Sequence, residues 1–334
     1  MSKFVLSKKK LLEQFSIISG LADYISYSAK TNYEVAGILE LETDCFFSIH
    51  TIESISKIRD KKRIWFFLQA SDLKKVFSYG LENFVVDNEA DLNSLLDFIQ
   101  KNNKKINLLL RMRLREHTIH TGKYFVFGMY SYQINKLIPE LRKNININKL
   151  GIHFHRKTQN ISEWNLVYEL KDSLTPETFQ SIDLINIGGG IPVKYKNLHA
   201  DVGPIFEDIK KLREWLKNIK LIIEPGRFIA APCIKLVTSI KNIYDNNIII
   251  DCSVYNSAID TFATHHRLEV GGELESGKAY VIKGQTPCSM DIFRYSVFLI
   301  NPKVGDGLVF LNAGAYNFSS DFCDLKKIPT EIVD

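Results

Sequence analysis

Five short segments of this chain carry residues that could do chemistry together. Lys30 sits in Ser28-Ala-Lys-Thr-Asn32, at the end of an apolar run. Arg111 and Arg113 end a second run, and His153-Phe-His155-Arg-Lys-Thr158-Gln ends a third. Gly188-Gly189-Gly190 and Glu224-Pro-Gly226-Arg227 follow two more. Glycines let backbone N–H groups come close to an anion, and an arginine adds a forked, charged donor. A lysine in partly apolar surroundings loses its proton more readily and becomes an amine nucleophile. Taken singly, each feature has an ordinary reading. The triplet reads as a tight turn, Glu224 or His155 as a hydrogen-bonded residue, Tyr316 as packing. Taken together, a reactive amine beside an anion cradle fits a phosphorylated aldehyde.

The elements that must position these residues are visible in the apolar pattern. Eight short runs read as strands: 24–29, 45–49, 63–68, 84–87, 106–113, 150–155, 184–187 and 221–224. Several are almost continuous in Ile, Leu, Val and Phe, as strands covered on both faces are. Helical patterns such as 89–100, 132–143 and 206–216 lie between them. Eight strand–helix units in succession predict a TIM-type (β/α)8 barrel, with a doubly wound open sheet as the alternative. In such a barrel functional residues stand where strands end, and phosphate is often held after the seventh and eighth strands, where Gly188–Gly190 and Gly226-Arg227 fall. Beyond residue 235 strands separated by Gly, Asn and Asp turns replace the helices. The expected organisation is an N-terminal segment over 1–20, a barrel over 21–234 and a β-rich domain over 235–334.

The composition excludes several classes. The net charge of +5 is spread over lysines interspersed with acids, without the aromatic-interleaved basic motif of a nucleic-acid binder. No run is long and apolar enough for a membrane span, and the start lacks a signal-peptide core. The expectation is a cytoplasmic protein with a small-molecule substrate. Five cysteines with no CxxC pair argue against a zinc site or a redox pair, and no metal is expected. Four of them are read as packed thiols, and Cys288 is set apart.

The segments together resemble the fold-type III pyridoxal 5′-phosphate (PLP) decarboxylases, which act on ornithine, arginine, diaminopimelate or carboxynorspermidine. The resemblance runs from Phe4 to Phe318. Ser28–Asn32 is similar to the family's AVKAN motif and Gly151–Gln159 to GxHxHxGSQ. Asn186–Gly190, Glu224–Arg227 and Ala313–Tyr316 match three further motifs, and Gly284-Gln-Thr-Pro-Cys288-Ser-Met-Asp291 resembles GPTCxxxD. The resemblance implies an alanine racemase-like barrel followed by a β domain, with PLP on Lys30 as a Schiff base. It implies His155 on the ring face, Glu224 at the pyridine nitrogen and Arg111 near the ring. Gly188, Gly189, Gly190, Gly226, Arg227, Thr158 and Tyr316 would serve the phosphate. It also implies a homodimer whose second subunit supplies Cys288 as proton donor, with Asp291 in the same loop.

Departures from the family bear on the substrate. Cys288 stands one place later than in the motif, and Lys157 replaces its glycine. The strand 2 acid has its nearest match in Asp44. In the substrate stretch Thr264 takes the place of the acid that pairs with a distal amine, and Asp260 lies one turn earlier. The reading is a decarboxylase of a basic amino acid, ornithine-type and feeding polyamine synthesis. Carboxynorspermidine and diaminopimelate decarboxylation are the alternatives on the same fold. A racemase needs a different partner for the ring nitrogen than Glu224. A non-catalytic binding relative would have lost cofactor residues that this chain keeps.

Overall fold

The computed structural model describes residues 1–114, 127–156, 158–317 and 319–334, so Lys157 and Phe318 lie outside the described residues. In chain order the strands are β1 (Lys3–Ser7), β2 (Tyr24–Ser28), β3 (Phe46–Ile49), β4 (Ile64–Leu68), β5 (Asn83–Val86), β6 (Ile106–Arg111), β7 (Ile147–His153), β8 (Leu184–Asn186) and β9 (Lys220–Ile223). They continue as β10 (Ile234–Tyr244), β11 (Asn247–Ile250), β12 (Glu269–Val270), β13 (Leu274–Lys283), β14 (Ile292–Phe298), β15 (Gly307–Leu311) and β16 (Thr330–Val333). The chain divides into two compact units. One comprises Ile18–Pro192 and Asp201–Pro225, the other Met1–Ile17, Val193–Ala200 and Gly226–Asp334.

In the first unit β2 to β9 form a closed barrel. Each strand pairs in parallel with the next, and β9 pairs with β2. The (β/α)8 expectation holds and the open sheet is excluded. All eight predicted strands are present, with ends shifted by a few residues. Several of the helices that alternate with them start where a polar side chain takes up a free N–H group. Asn32 accepts from the N–H groups of Glu34 and Val35 at the start of the helix Tyr33–Glu42, two residues after Lys30. Asn88 does the same for Glu89–Lys101 and Thr175 for Pro176–Ser181.

The strand period of two divides the barrel interior into layers. Trp65, Val85, Leu109, Leu184 and Ile222 form one buried apolar cluster. Two residues further along the same strands or just past them stand Phe67, Asp87, Arg111, Asn186 and Glu224. The apolar layer thus plugs the barrel, and the next layer, nearer the C-terminal mouth, is polar apart from Phe67. Gly151 belongs to this packing: a Cβ there would stand 2.1 Å from the Leu184 carbonyl oxygen.

The second unit is an eight-stranded mixed sheet in the order β12-β15-β10-β11-β13-β14, and β1 pairs with both β10 and β16. Predicted strands over 247–250 and 307–311 match β11 and β15. Those over 233–239 and 278–282 fall within or beside β10 and β13, which run longer. One cysteine expectation is corrected here. Cys45, Cys233 and Cys252 are buried, but Cys323 is exposed, because Phe322–Asp324 is a short surface turn. Among the described residues no helix is long and apolar enough to cross a membrane.

Gly151→Ala is expected to cost about 1–3 kcal/mol, as overpacking does when backbone must shift. A lowered urea midpoint with an unchanged m-value would record it.

Candidate active site

Parallel strands bring all their C-terminal ends to one end of the barrel. Lys30 lies just past β2, His50 past β3, Asp87 past β5, Gly188–Gly190 past β8 and Glu224 past β9, while Arg111 and His153 end β6 and β7. Asp44, in contrast, precedes β3 and is exposed at the opposite end of the barrel, so it does not join this group. The side chain that β3 sends into the cluster is Ser48.

Glu224 is buried, and three donors converge on it. Ser48 Oγ donates to Oε1 at 2.6 Å and Asn186 Nδ2 to the same oxygen at 3.0 Å. His153 Nε2 stands 3.2 Å from Oε2. Burial alone would raise the Glu224 pKa, but His153, Ser48 and Asn186 outweigh it and hold the carboxyl at about 2. Burial draws His153 toward its neutral form, against the pull of Glu224, and its buried Nδ1 has no hydrogen-bond partner. A hydroxyl relay extends the network, with Ser26 Oγ 2.8 Å from Ser48 Oγ.

Lys30 opens onto the mouth. Desolvation by the surrounding wall lowers its pKa, Arg111 adds to the effect and Glu224 opposes it. This is the direction an amine nucleophile requires. Arg111 Nη1 lies 3.8 Å from Asp87 Oδ2, which anchors it on the mouth wall.

The glycine triplet is built for backbone rather than side chains. Gly188 and Gly190 have φ of +66° and +102°. A Cβ on Gly188 would meet the Phe154 oxygen at 2.5 Å, and one on Gly189 would meet the Glu224 oxygen at 2.6 Å. The Gly189 N–H donates to His155 Nδ1 at 3.1 Å, so that nitrogen is an acceptor and the ring neutral. Desolvation first, and then the nearby positive groups, hold the His155 pKa down to about 3. The loop carrying Thr158 is tied to the triplet, because Asn160 N–H donates to the Gly190 oxygen. These residues fit a phosphorylated ring: a cradle that excludes Cβ atoms, a fixed carboxylate and a desolvated amine share one strand-end cluster.

The remaining expected residues lie in the second unit. Arg227 follows Gly226 at the start of the helix Arg227–Cys233. Both its Nη atoms bond to Asp260, with Nη2 to Oδ1 at 3.1 Å, and Nη1 also reaches Tyr195 Oη at 3.0 Å. Its guanidinium sits 5.0 Å from the Tyr316 ring centroid. His266 stacks on Tyr195 and bonds to Thr264, whose Oγ1 also donates to the Asp260 backbone carbonyl oxygen. Asp260 and Thr264, expected as substrate residues, are therefore engaged with Arg227 and His266.

Asp291 organises its own loop. Its Oδ1 accepts from Val254 N–H at 2.9 Å and its Oδ2 from Thr286 N–H and Oγ1 at 3.1 and 2.7 Å. The loop presents Cys288 with Sγ 3.0 Å from Tyr255 Oη. That hydrogen bond lowers the Cys288 pKa and raises that of Tyr255 to about 12.

Ser48, His50, Asp87, His153, Asn186, Tyr195, Tyr255 and His266 were not singled out as site residues from the sequence. A signal existed for the barrel members. Each polar residue stands two places after a residue that faces the barrel interior, as in Val85-Val-Asp87 and Leu184-Ile-Asn186. Tyr195, Tyr255 and His266 had no such signal, because they lie outside regular strands. Among the described residues no group of three or more His, Cys, Asp or Glu could hold a metal ion.

A closed parallel barrel with a desolvated lysine, a buried ionised glutamate and a glycine cradle at its mouth defines a class of cofactor-binding barrel. Residues 61–231, just over half of the chain, match the family model described as "Pyridoxal-dependent decarboxylase, pyridoxal binding domain", and the chain belongs to that family. It is 28% identical over 264 residues to the diaminopimelate decarboxylase of Aquifex aeolicus, covering 71% of this chain and 60% of that protein. The first curated relatives are matched over less than two thirds of their own length. Among solved structures, diaminopimelate decarboxylase from Helicobacter pylori superposes with a TM-score of 0.84 at 19% identity, covering 100% of this chain and 92% of that one. Lysine decarboxylase from Selenomonas ruminantium gives 0.83 at 20%, covering 99% and 92%.

Two outcomes follow from the titrating groups. Glu224 has a depressed pKa, so the stability it contributes is complete above its ordinary 4.5 and is lost as pH falls through about 2. Urea midpoints of Glu224→Gln are expected to fall less steeply with acid across that window than those of the unaltered protein. Tyr255→Phe removes the donor that stabilises the Cys288 thiolate. Alkylation of Cys288 at pH 8, mapped by mass to separate it from exposed Cys323, should slow several-fold.

Proposed function

We propose that the protein is a PLP-dependent decarboxylase of a basic amino acid, with Lys30 as the cofactor lysine. The observation that carries this reading is that the parallel strands bring Lys30, just past β2, to the same barrel mouth as a buried Glu224 on which three donors converge. Lys30 would hold the cofactor's aldehyde carbon, Glu224 its ring nitrogen, His155 its ring face and Gly188–Gly190 its phosphate. When bound, the cofactor supplies the electron sink for the carbon that loses CO2.

The chain's own residues supply the rest. Desolvation biases Lys30 toward its free amine, the form that attacks a carbonyl. Ser48, Asn186 and His153 fix the Glu224 carboxylate as an anion, which keeps a proton on a nitrogen facing it. His155 is held neutral by the Gly189 N–H and so presents a ring face without a charge. The Cys288–Tyr255 pair holds a proton between sulfur and oxygen, the property a proton donor needs. Arg111 near the ring, Thr158, Gly226, Arg227 and Tyr316 at the phosphate, a homodimer and a cytoplasmic location are proposed on the resemblance alone.

The substrate reading rests on charge. Two carboxylates of the stretch 251–267, over which the family sets substrate choice, are engaged within the protein, Asp251 by Ser2 and the Ser239 N–H and Asp260 by Arg227. Neither is left as the counter-ion that a lone distal ammonium requires. That favours diaminopimelate, whose far end is zwitterionic, over ornithine, and diaminopimelate decarboxylases stand among the relatives. Ornithine-type and carboxynorspermidine activity remain arms of the same test.

Purified protein incubated with PLP and reduced with borohydride should carry the cofactor mass on the Lys30 peptide, and Lys30→Ala should not. CO2 release from diaminopimelate, ornithine, lysine, arginine and carboxynorspermidine then identifies the substrate. Glu224→Gln is expected to lower the rate about a hundredfold or more, as loss of a preorganised electrostatic partner does. Inversion of the amino acid without CO2 would make the protein a racemase. Failure to bind PLP would make it a binding protein of the same shape.

A further inference from the structure

His50 belongs to the polar layer of the barrel mouth and has no part in the reading above. It follows β3, two residues after Ser48, so it projects to the same inner face as the serine that bonds Glu224. Its ring lies flat on Phe67, with centroids 4.4 Å apart and planes at 10°. Phe67 in turn meets His153 edge-on at 5.0 Å. The imidazole is thus locked in orientation by an aromatic stack that leads to Glu224's own hydrogen-bond partner.

The lock leaves one nitrogen unused. Nδ1 of His50 is buried and has no hydrogen-bond partner. Burying a polar atom without a partner is costly, and a phenyl or leucyl group would fill the same stack without that cost. Desolvation, followed by Lys30, His153 and Arg111 against the pull of Glu224, holds the ring neutral with a pKa of about 3. A neutral, orientationally fixed imidazole beside Lys30 can donate or accept one hydrogen bond without bringing a charge into the mouth.

We propose that His50 is a further ligand-contacting residue of this site, with Nδ1 hydrogen-bonding an oxygen of the molecule that Lys30 binds. The oxygen is either the ring hydroxyl of the cofactor or the carboxylate of the amino acid. The proposal rests on the assignment of Lys30 made under Proposed function.

The test uses His50→Phe, which keeps the stack and removes the nitrogen, in full-length protein. Three quantities are read: borohydride-fixed cofactor at Lys30, the visible absorbance and dissociation constant of PLP without substrate, and kcat and KM for the amino acid that releases CO2. Loss of one hydrogen bond predicts an effect of about five- to tenfold. A shifted absorbance band and weaker PLP binding assign the contact to the cofactor. An unchanged band with KM raised by that factor assigns it to the substrate carboxylate. If the variant fixes cofactor at Lys30 with band, affinity and KM all within twofold of the unaltered protein, the proposal is overturned while the Lys30 reading stands. If the unaltered protein fixes no cofactor at Lys30, both fall. Should His50→Phe fail to fold, His50→Leu is read in the same way. If neither folds, His50 is a structural residue and the proposal fails.

Discussion

The polar mouth of this barrel depends on one buried carboxylate. Glu224 stands at the end of β9, where burial opposes its charge, and it remains ionised because β3, β7 and β8 each deliver a donor to it. Removing any one donor leaves part of an anion unsatisfied in a low-dielectric setting, which costs far more than a surface hydrogen bond returns. The carboxylate therefore holds the strand ends in register as much as they hold it. Its backbone is engaged too: the Glu224 N–H donates to the Gly188 oxygen at 2.7 Å, and its own oxygen blocks any side chain at Gly189. The anion and the glycine cradle are parts of one arrangement.

That arrangement rests on the layer beneath it. Trp65, Val85, Leu109, Leu184 and Ile222 close the barrel with apolar bulk. This plug excludes water from below and lowers the dielectric felt by Lys30, His50, His153 and Glu224. The same desolvation therefore acts in opposite senses along the mouth. It draws a lysine and two histidines toward neutrality, while a single glutamate, rescued by directed hydrogen bonds, keeps its charge. An amine that can attack and an anion that can hold a facing proton coexist because directed hydrogen bonds hold the charge of Glu224, whereas desolvation and Arg111 act against the charge of Lys30.

The second unit shows the same economy of charge in a different form. Arg227 and Asp260 neutralise each other in a forked pair flanked by Tyr195, Tyr316 and His266. Asp291 is spent on its own loop, where three donors converge on it. Each acid that the sequence offers as a substrate anchor is thus taken by an internal partner. What this leaves at the loop tip is the Cys288–Tyr255 pair.

The barrel, its eight strands and the strand-end places of Lys30, Gly188–Gly190 and Glu224 were legible in the sequence. Strand period, apolar runs and glycine clusters are local signals, and a parallel barrel converts strand ends into a single site by geometry alone. The same local pattern, Ser48-Ile-His50 or Leu184-Ile-Asn186, also encoded the polar layer, although its members gain meaning only when eight strands are set side by side. Asp44 illustrates the limit. A motif search sees an acid near a strand, whereas closure of the barrel sets the start of β3 and its end at opposite faces. Which acid pairs with which base, why Glu224 stays charged and why His50 keeps an unused nitrogen were decided by tertiary structure. Those outcomes depend on desolvation and on donors from residues tens to well over a hundred positions apart, which no sequence window contains.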